Sequence, residues 1–183
     1  GDVYKRQRYN FPFLNEYPML YLKSKNKKTN EVFSMSWEQV YQQWLNEENI
    51  PENLKNELKD LNTDPEKCED AFYAPLEFGT AGMRGILGAG INRMNIFTVR
   101  QATEGLARFM DTQDPETKRR GVAIAYDSRH MSPEFAMEAA KTLAKHDIPS
   151  FVFESLRPTP ELSFAVRYFK AFAAVSYTHL RAH

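Results

Sequence analysis

From residue 76 onward, short apolar runs alternate with well-marked helix starts, and this alternation limits the folds open to the chain more than any other feature. Residues 121–127 read GVAIAYD, an apolar run ended by polar residues, as in a buried parallel strand. Ser132-Pro133-Glu134 combines a capping hydroxyl, a first-turn proline and an acid at the positive end of the helix dipole. The pattern repeats in residues 148–154 and 159–161, and a last apolar piece reaches Val175. The alternation predicts an α/β fold with a mixed, mainly parallel sheet covered by helices.

Four more helices are predicted from apolar spacing and capping residues. Three lie before residue 76, with starts at Ser36, Pro51 and Asp64, and the fourth runs from Asn95 to about Met110. Residues 35–75 hold three Lys/Arg against ten Asp/Glu, so they form an acidic helical leader. The aromatic residues at helical spacing are expected in the core, and the lone cysteine is expected to be inert packing: Trp37, Trp44, Phe109, Phe135 and Cys68.

The stretch LEFGTAGMRGILGAG, residues 76–90, contains five of the eight glycines of the chain around a single cation, Arg84. Backbone N–H groups freed of Cβ atoms can converge on an anion, with Thr80 and Arg84 adding a hydroxyl and a charged fork. The alternative is that these glycines only permit tight turns and close packing, and spacing alone does not choose between the two. The stretch matches neither the Walker nor the dinucleotide-binding pattern.

Two further loops follow predicted strands, where open α/β sheets place ligand contacts. Asp127 and Arg129 can pair, and a pair that orients the loop is favoured over direct catalysis because no third catalytic group lies nearby in sequence. His130 could act as an acid or base, but a histidine in such a loop is more often merely exposed. In RPTPE, Arg157 could meet a phosphate, while Thr159 is expected to cap the next helix.

Composition excludes several classes of function. The formal net charge is zero and no long basic patch occurs, so nucleic acid is not expected as a partner. A single cysteine allows no internal disulfide and no thiolate cluster, which favours a reducing, cytoplasmic setting. Asn15, Glu16 and two prolines interrupt FPFLNEYPML, so neither a signal peptide nor a membrane span is predicted.

Four segments, LEFGTAGMRG, GAGINRMN, AYDSRHMSPE and RPTPELSFAVRYFKAFA, occur in this order and carry a family resemblance. Together they closely resemble the first domain of the α-D-phosphohexomutase superfamily. The resemblance is strongest to the phosphoglucomutase and phosphopentomutase branch, whose members carry an acidic helical leader. It covers residues 35–175.

The resemblance implies a four-domain cytoplasmic enzyme that moves phosphate between the 6- and 1-positions of a hexose. It further implies a phosphoserine, a sugar bisphosphate intermediate and Mg²⁺ at the serine. Within it, Arg84, Thr80, Gly79 and Gly82 would face the phosphoryl group. Such transfer depends on positioning and charge stabilisation, which fixed N–H donors, an arginine and a metal provide.

The sequence departs from the family at its carboxyl end. Relatives continue into a strand and then a Thr-Ala-Ser-His-Asn-Pro loop with the nucleophile, whereas this chain reads AFAAVSYTHLRAH. No catalytic residue and no metal ligand is therefore assigned, and the chain alone is expected to be inactive without domains II to IV. Residues 1–34 are expected to be disordered, non-native or upstream-derived, residues 76–175 an incomplete domain I, and residues 176–183 a non-native tail.

Two alternatives to a phosphoglucomutase remain open from sequence. One is a mutase for pentose or mannose phosphates, because the sugar-reading segment is not in this sequence. The other is a non-enzymatic phosphate- or nucleotide-binding α/β module, for which an open sheet and a glycine turn would suffice.

Overall fold

The computed structural model describes residues 4–7, 35–76, 78–79 and 82–177. In chain order these residues form strand β1 (Tyr4–Gln7), helices α1 (Trp37–Leu45), α2 (Glu52–Leu61) and α3 (Pro65–Phe72), strands β2 (Phe78–Gly79) and β3 (Gly82–Met83), helices α4 (Ile96–Asp111) and α5 (Pro115–Arg120), strand β4 (Val122–Tyr126), helix α6 (Ser132–Lys145), strand β5 (Ser150–Phe153), helix α7 (Thr159–Phe169) and strand β6 (Ala173–Tyr177).

The main sheet has four strands in the order β1-β5-β4-β6. Strand β4 is parallel to both of its neighbours, and Val122 pairs with Ser150 on one side and Ala173 on the other. Strand β1 adds an antiparallel edge to β5. The predicted α/β class, with a mixed and mainly parallel sheet, is therefore confirmed.

Alternate residues of β4 face two different helical layers. Val122 and Ile124 pack in one apolar cluster with α4 and α6, whereas Ala123 and Ala125 pack in another with α7. All four side chains are fully buried, as the two-residue period of a strand covered on both faces requires. The small side chains on the α7 face let Ala165 pack directly against the sheet.

The first three helices enclose a separate cluster, which we call the leader core. Trp44 lies edge-on to Phe72 and Phe97, with ring centroids 5.6 and 5.2 Å apart, and Tyr41 donates to the carbonyl of Leu58 at 2.8 Å. Its buried members are Val40, Tyr41, Trp44, Ile50, Leu54, Leu58, Cys68, Ala71, Phe72, Ala89, Ile91 and Phe97. Because the last three lie beyond residue 76, the leader is packed onto the rest of the molecule.

The predicted helix starts are close to those observed, but two capping assignments are wrong. Ser132 and Thr159 are the first helical residues of α6 and α7, and the capping positions are held by Met131 and Pro158. Met131 has a left-handed backbone, with φ of 65°, and Ser132 is fully buried. The hydroxyl of Ser132 therefore serves another contact, described below.

Other departures concern the edges of helical faces. Phe109 is 55% exposed and does not join the core, whereas the neighbouring Met110 is fully buried.

Helix α5 was not predicted, although Asp114-Pro115 has the same arrangement of cap and proline. The Asp114 carboxylate accepts from the Thr117 N–H at 3.0 Å.

Strand β1 lies in the segment that was expected to be disordered, non-native or upstream-derived, and the end of strand β6 lies in the segment that was expected to be a non-native tail. Strand β1 pairs with β5 over four residues, Tyr4 facing Phe153 in register. Strand β6 continues through Ser176 and Tyr177, so the boundary predicted at residue 175 cuts through a strand. Residues 1–3, 8–34 and 178–183 lie outside the described residues.

Candidate functional site

The segment that carries Arg84 is a short antiparallel hairpin. Phe78 of β2 pairs with Met83 of β3, and Gly79 pairs with Gly82. Thr80, predicted to face phosphate, lies outside the described residues. Met83 is 2% exposed and anchors the hairpin in the cluster formed with α4 and α6.

Arg84 follows β3 directly and its side chain is exposed. Within the described part of the chain, no hydrogen bond or ion pair engages its guanidinium. A guanidinium on a rigid support can bind a phosphoryl group through two parallel hydrogen bonds. We refer to β2, β3 and Arg84 together as the Arg84 hairpin.

Residues 86–94 bind the chain just before the Arg84 hairpin and are themselves closed by a hydrogen bond just after it. The Leu76 N–H, just before the hairpin, donates to the Ile91 carbonyl at 2.8 Å. Just after it, the Met94 N–H donates to the Ile86 carbonyl at 2.8 Å. A Cβ on Gly85 would lie 2.8 Å from Leu76 Cδ1, so the two arms touch at their base.

Gly88 and Gly90 do not form an anion cradle. They have φ angles of +149° and +124°, and a Cβ on Gly90 would lie 2.4 Å from the Ala71 carbonyl oxygen. The Gly88 N–H donates to the Met94 carbonyl, and the Ala89 N–H to Glu57 Oε2. For this half of the stretch the close-packing alternative is correct, whereas Gly79 and Gly82 pair with each other in the hairpin.

The loop after β4 is organised around one carboxylate. Asp127 Oδ1 accepts from the Arg129 N–H at 3.0 Å and from the buried Ser132 hydroxyl at 2.7 Å. Asp127 Oδ2 lies 3.4 Å from Arg129 Nε. The structure thus brings together the Asp127–Arg129 pair that the sequence singled out, and it adds Ser132, which the capping interpretation had concealed.

The remaining loop residues have no arrangement suited to catalysis. His130 is exposed at the surface of the loop. Arg157 Nε lies 3.0 Å from Glu161 Oε2 in the first turn of α7, so this arginine is tied to its own helix. The Arg157 N–H also donates to the Tyr126 carbonyl at 3.2 Å, which joins the loops after β4 and β5.

A family model for the phosphoglucomutase/phosphomannomutase alpha/beta/alpha domain I matches residues 75–179, more than half of the chain. The chain belongs to this family. The match begins one residue before Leu76 and three residues before the Arg84 hairpin, and it ends just after β6.

Curated relatives agree with this membership of the phosphoglucomutase/phosphomannomutase family. A phosphoglucomutase of Staphylococcus epidermidis is 43% identical over 117 residues, covering 64% of this chain and 21% of the relative. A phosphoglucomutase of Staphylococcus aureus (strain USA300) is 38% identical over 135 residues, covering 74% of this chain and 23% of the relative. The chain therefore spans about a fifth of the length of these relatives. No solved structure gives a significant match.

In this phosphoglucomutase/phosphomannomutase domain, β3 lies against β6. The Arg84 hairpin is thereby adjacent to the strand that ends the family match. Arg84 itself comes one residue after β3.

No group of three or more His, Cys, Asp or Glu side chains comes together among the described residues in a way that could hold a metal ion. The Asp127 carboxylate already accepts two hydrogen bonds and lies beside the Arg129 guanidinium. None of the helices formed by the described residues is long and apolar enough to cross a membrane.

Proposed function

We propose that this chain is part of the first domain of a phosphoglucomutase-type enzyme. The whole enzyme would interconvert hexose 1-phosphate and hexose 6-phosphate through a phosphoserine and a sugar bisphosphate. Family membership supports the reaction type, and the relatives that cover most of this chain are named phosphoglucomutases. The sequence contains no Thr-Ala-Ser-His-Asn-Pro segment, so the chain alone would catalyse no transfer.

The observation that carries this proposal is the position of the Arg84 hairpin beside β6. In the family resemblance, the strand at this place leads directly into the serine loop. The Arg84 guanidinium makes no hydrogen bond or ion pair with the described residues. It lies one residue after β3, the strand packed on β6, and is therefore suitably placed to meet a phosphoryl group there.

Arg84 would act by charge stabilisation and not by proton transfer. Phosphoryl transfer spreads negative charge over the oxygens of the moving group, and a fixed guanidinium stabilises that charge without rearranging. In the complete enzyme, loss of one such donor costs about 3 to 4 kcal/mol in the transition state. Mg²⁺ belongs to the same proposal, with ligands from polypeptide other than the residues described here.

Binding of glucose 1,6-bisphosphate to the 183-residue chain would test the role of Arg84. We expect Arg84→Ala to weaken binding about tenfold or more, because a charge-assisted bidentate contact is lost. Arg119→Ala is the matched control, since Arg119 is 73% exposed and lies 3.7 Å from Glu116 on α5. The same loss of affinity in both variants would contradict a specific phosphate site at Arg84.

Further measurements distinguish this proposal from its alternatives. Tighter binding of a nucleotide than of any sugar phosphate, with dependence on the base, would favour a non-enzymatic module. A coupled assay for glucose 6-phosphate formed from glucose 1-phosphate should give no turnover with this chain, and turnover would contradict the expected inactivity. Turnover of glucose, mannose and pentose phosphates by the complete enzyme would show which sugar it prefers, since the sugar-reading segment is not in this sequence.

A further inference from the structure

Residues 86–94, which we call the bracing segment, are hydrogen-bonded to the helical leader along one side. Glu57 Oε2 on α2 accepts from the Ala89 N–H at 2.8 Å. The Ala71 carbonyl at the end of α3 accepts from the Asn92 N–H at 2.9 Å. Arg93 and Asp70 add an ion pair of 2.5 Å across the same boundary. Three contacts from two helices therefore fix the position of the bracing segment.

On its other side the bracing segment holds the base of the Arg84 hairpin. The Ile91 carbonyl accepts from the Leu76 N–H at 2.8 Å, and within the segment the Met94 N–H donates to the carbonyl of Ile86, two residues after Arg84, at 2.8 Å. A Cβ on Gly85, the residue after Arg84, would lie 3.4 Å from the Met94 side chain. The residues that flank the hairpin, Leu76 and Gly85, are therefore in contact with the segment that the leader holds.

The contact between leader and bracing segment allows little adjustment. A Cβ on Gly88 would lie 3.0 Å from Glu57 Oε2, and one on Gly90 would overlap the Ala71 carbonyl. Asn95 closes the segment from the side of α4, since its side-chain amide donates to the carbonyls of Gly88 and Gly90 at 2.8 and 2.9 Å. A shift of the leader must therefore move the segment and the hairpin with it.

We propose that the leader sets the orientation of the Arg84 hairpin through the bracing segment, and that Glu57 is a positioning residue for Arg84. The functional consequence rests on the proposed function, in which Arg84 meets a phosphoryl group. Glu57 is singled out because its carboxylate reaches a backbone N–H 32 residues away with a charge-assisted bond. Glu57 and Asp60, which is one turn further along α2, both line a cleft of about 480 Å³. The Asp60 carboxylate makes no hydrogen bond or ion pair with any residue that the structure describes.

Amide hydrogen exchange on the 183-residue chain tests the mechanical part of the proposal. In Glu57→Ala we expect exchange to accelerate at Ala89 and, by about fivefold or more, at residues 82–86, because about one hydrogen bond of stabilisation is lost from their support. Asp60→Ala is the matched control and should change neither region by more than about twofold. Acceleration confined to residues 89–92, with residues 82–86 unchanged, would overturn the proposal.

Ligand affinity tests the positioning role separately from stability. With glucose 1,6-bisphosphate as probe, Glu57→Ala should weaken binding by about fivefold, less than Arg84→Ala, because Arg84 is displaced and not removed. Glu104→Ala serves as a destabilised control, since Glu104 binds Arg108 and His146 in a separate side-chain cluster on α4. Equal weakening in Glu57→Ala and Glu104→Ala would mean general loosening and would overturn the positioning role. If the unsubstituted chain does not bind the probe, the proposed function fails, while hydrogen exchange still decides whether Glu57 orients the hairpin.

Discussion

At the scale of single residues, the glycines differ in how close other atoms lie to the position that a Cβ would occupy. Gly90 and Gly121 have positive φ angles and face the carbonyl oxygens of Ala71 and Pro149, 2.4 and 2.3 Å from where a Cβ would be. Gly105, in α4, has no atom within 4 Å of that position. The first two permit close approach of backbone to backbone, whereas Gly105 only adds conformational freedom to the unfolded chain.

Alanine substitutions at Gly90 and Gly105 should have opposite effects on the free energy of unfolding. Gly90→Ala should destabilise by about 1 to 3 kcal/mol, because a strained backbone is combined with contact against a carbonyl that cannot retreat. Gly105→Ala should stabilise by about 0.5 to 1 kcal/mol, since alanine is the better helix former. Urea unfolding of both variants measures this, and a neutral Gly90→Ala would contradict the close packing of the leader.

Some residue-level features were visible in the sequence and others were not. Asp127 and Arg129 could be paired in advance because they are two positions apart in one loop. The contact of Glu57 with Ala89 spans 32 residues and forms only when the leader packs on the rest of the molecule. No local sequence pattern therefore predicts it. Ser132 was assigned to capping because Ser-Pro-Glu fits that role, but the left-handed Met131 turns the chain so that the hydroxyl meets Asp127 instead.

At the scale of elements, the carboxyl-terminal half of α4 is joined to α6 and α5 by a cluster of charged side chains. His146, which ends α6, lies 2.5 Å from Asp111 through Nδ1 and 3.0 Å from Glu104 through Nε2. Lys118 of α5 pairs with Asp111, and Arg108 pairs with Glu104. Nearer the start of α4, Arg100 and Glu138 form a buried pair at 2.6 Å.

In the cluster around His146, the pKa of the histidine is raised and the pKa values of Glu104 and Asp111 are lowered. Burial alone would lower the pKa of His146, but hydrogen bonds to Asp111 and Glu104 and their charges outweigh it, so the pKa is raised. Burial alone would raise the pKa of Glu104, but Arg108 and His146 outweigh it, and its pKa is lowered. Hydrogen bonds from Lys118 and His146 lower the pKa of Asp111.

The free energy of unfolding of the chain should therefore fall as the pH rises above the pKa of an ordinary histidine. The contribution of His146 is fully present below its unfolded pKa of about 6.5 and is lost as pH rises through the higher folded pKa. The two carboxylates contribute above their unfolded pKa values of about 4 and lose this as pH falls through the folded ones. Urea unfolding at pH 6 and pH 8.5 should show a decrease that His146→Gln lacks. Equal decreases in both proteins would rule out His146 as its source.

At the scale of the whole molecule, three apolar clusters hold the described residues together. Two lie on opposite faces of the main sheet, and the third is the leader core, which draws Ala89, Ile91 and Phe97 from the rest of the molecule. The buried members described for the three clusters all lie at residue 40 or beyond. The leader is therefore part of the packed molecule, and strand β1 adds an antiparallel edge to the sheet.

Shortened chains should separate these contributions. Residues 35–183 should keep one cooperative thermal transition, with a midpoint within about 5 °C of the full chain, because all three clusters remain. Residues 76–183 should lose cooperativity or bind a hydrophobic dye, because Ile91 and Phe97 lose their cover. Circular dichroism and dye fluorescence measure both, and an unchanged midpoint for residues 76–183 would contradict the leader core.

The architecture was more predictable than its details, for a physical reason. Alternating strand and helix signals determine the layers of an α/β domain, because each apolar face must be covered. Phe109 and Met110 occupy adjacent positions at the edge of one helical face, and only the distance to the sheet decides that Met110 is buried. The four-residue β1 could not be predicted, because its pairing with β5 is a tertiary contact.

Cys68 gives the leader core a chemical property of its own. It is the only cysteine in the chain, it lies on α3, and the residue is only 3% exposed. Burial also raises the pKa of this thiol, which suppresses the reactive thiolate. Alkylation can then proceed only while α3 is transiently detached, so the rate of alkylation would report how often the leader opens in the unmodified protein.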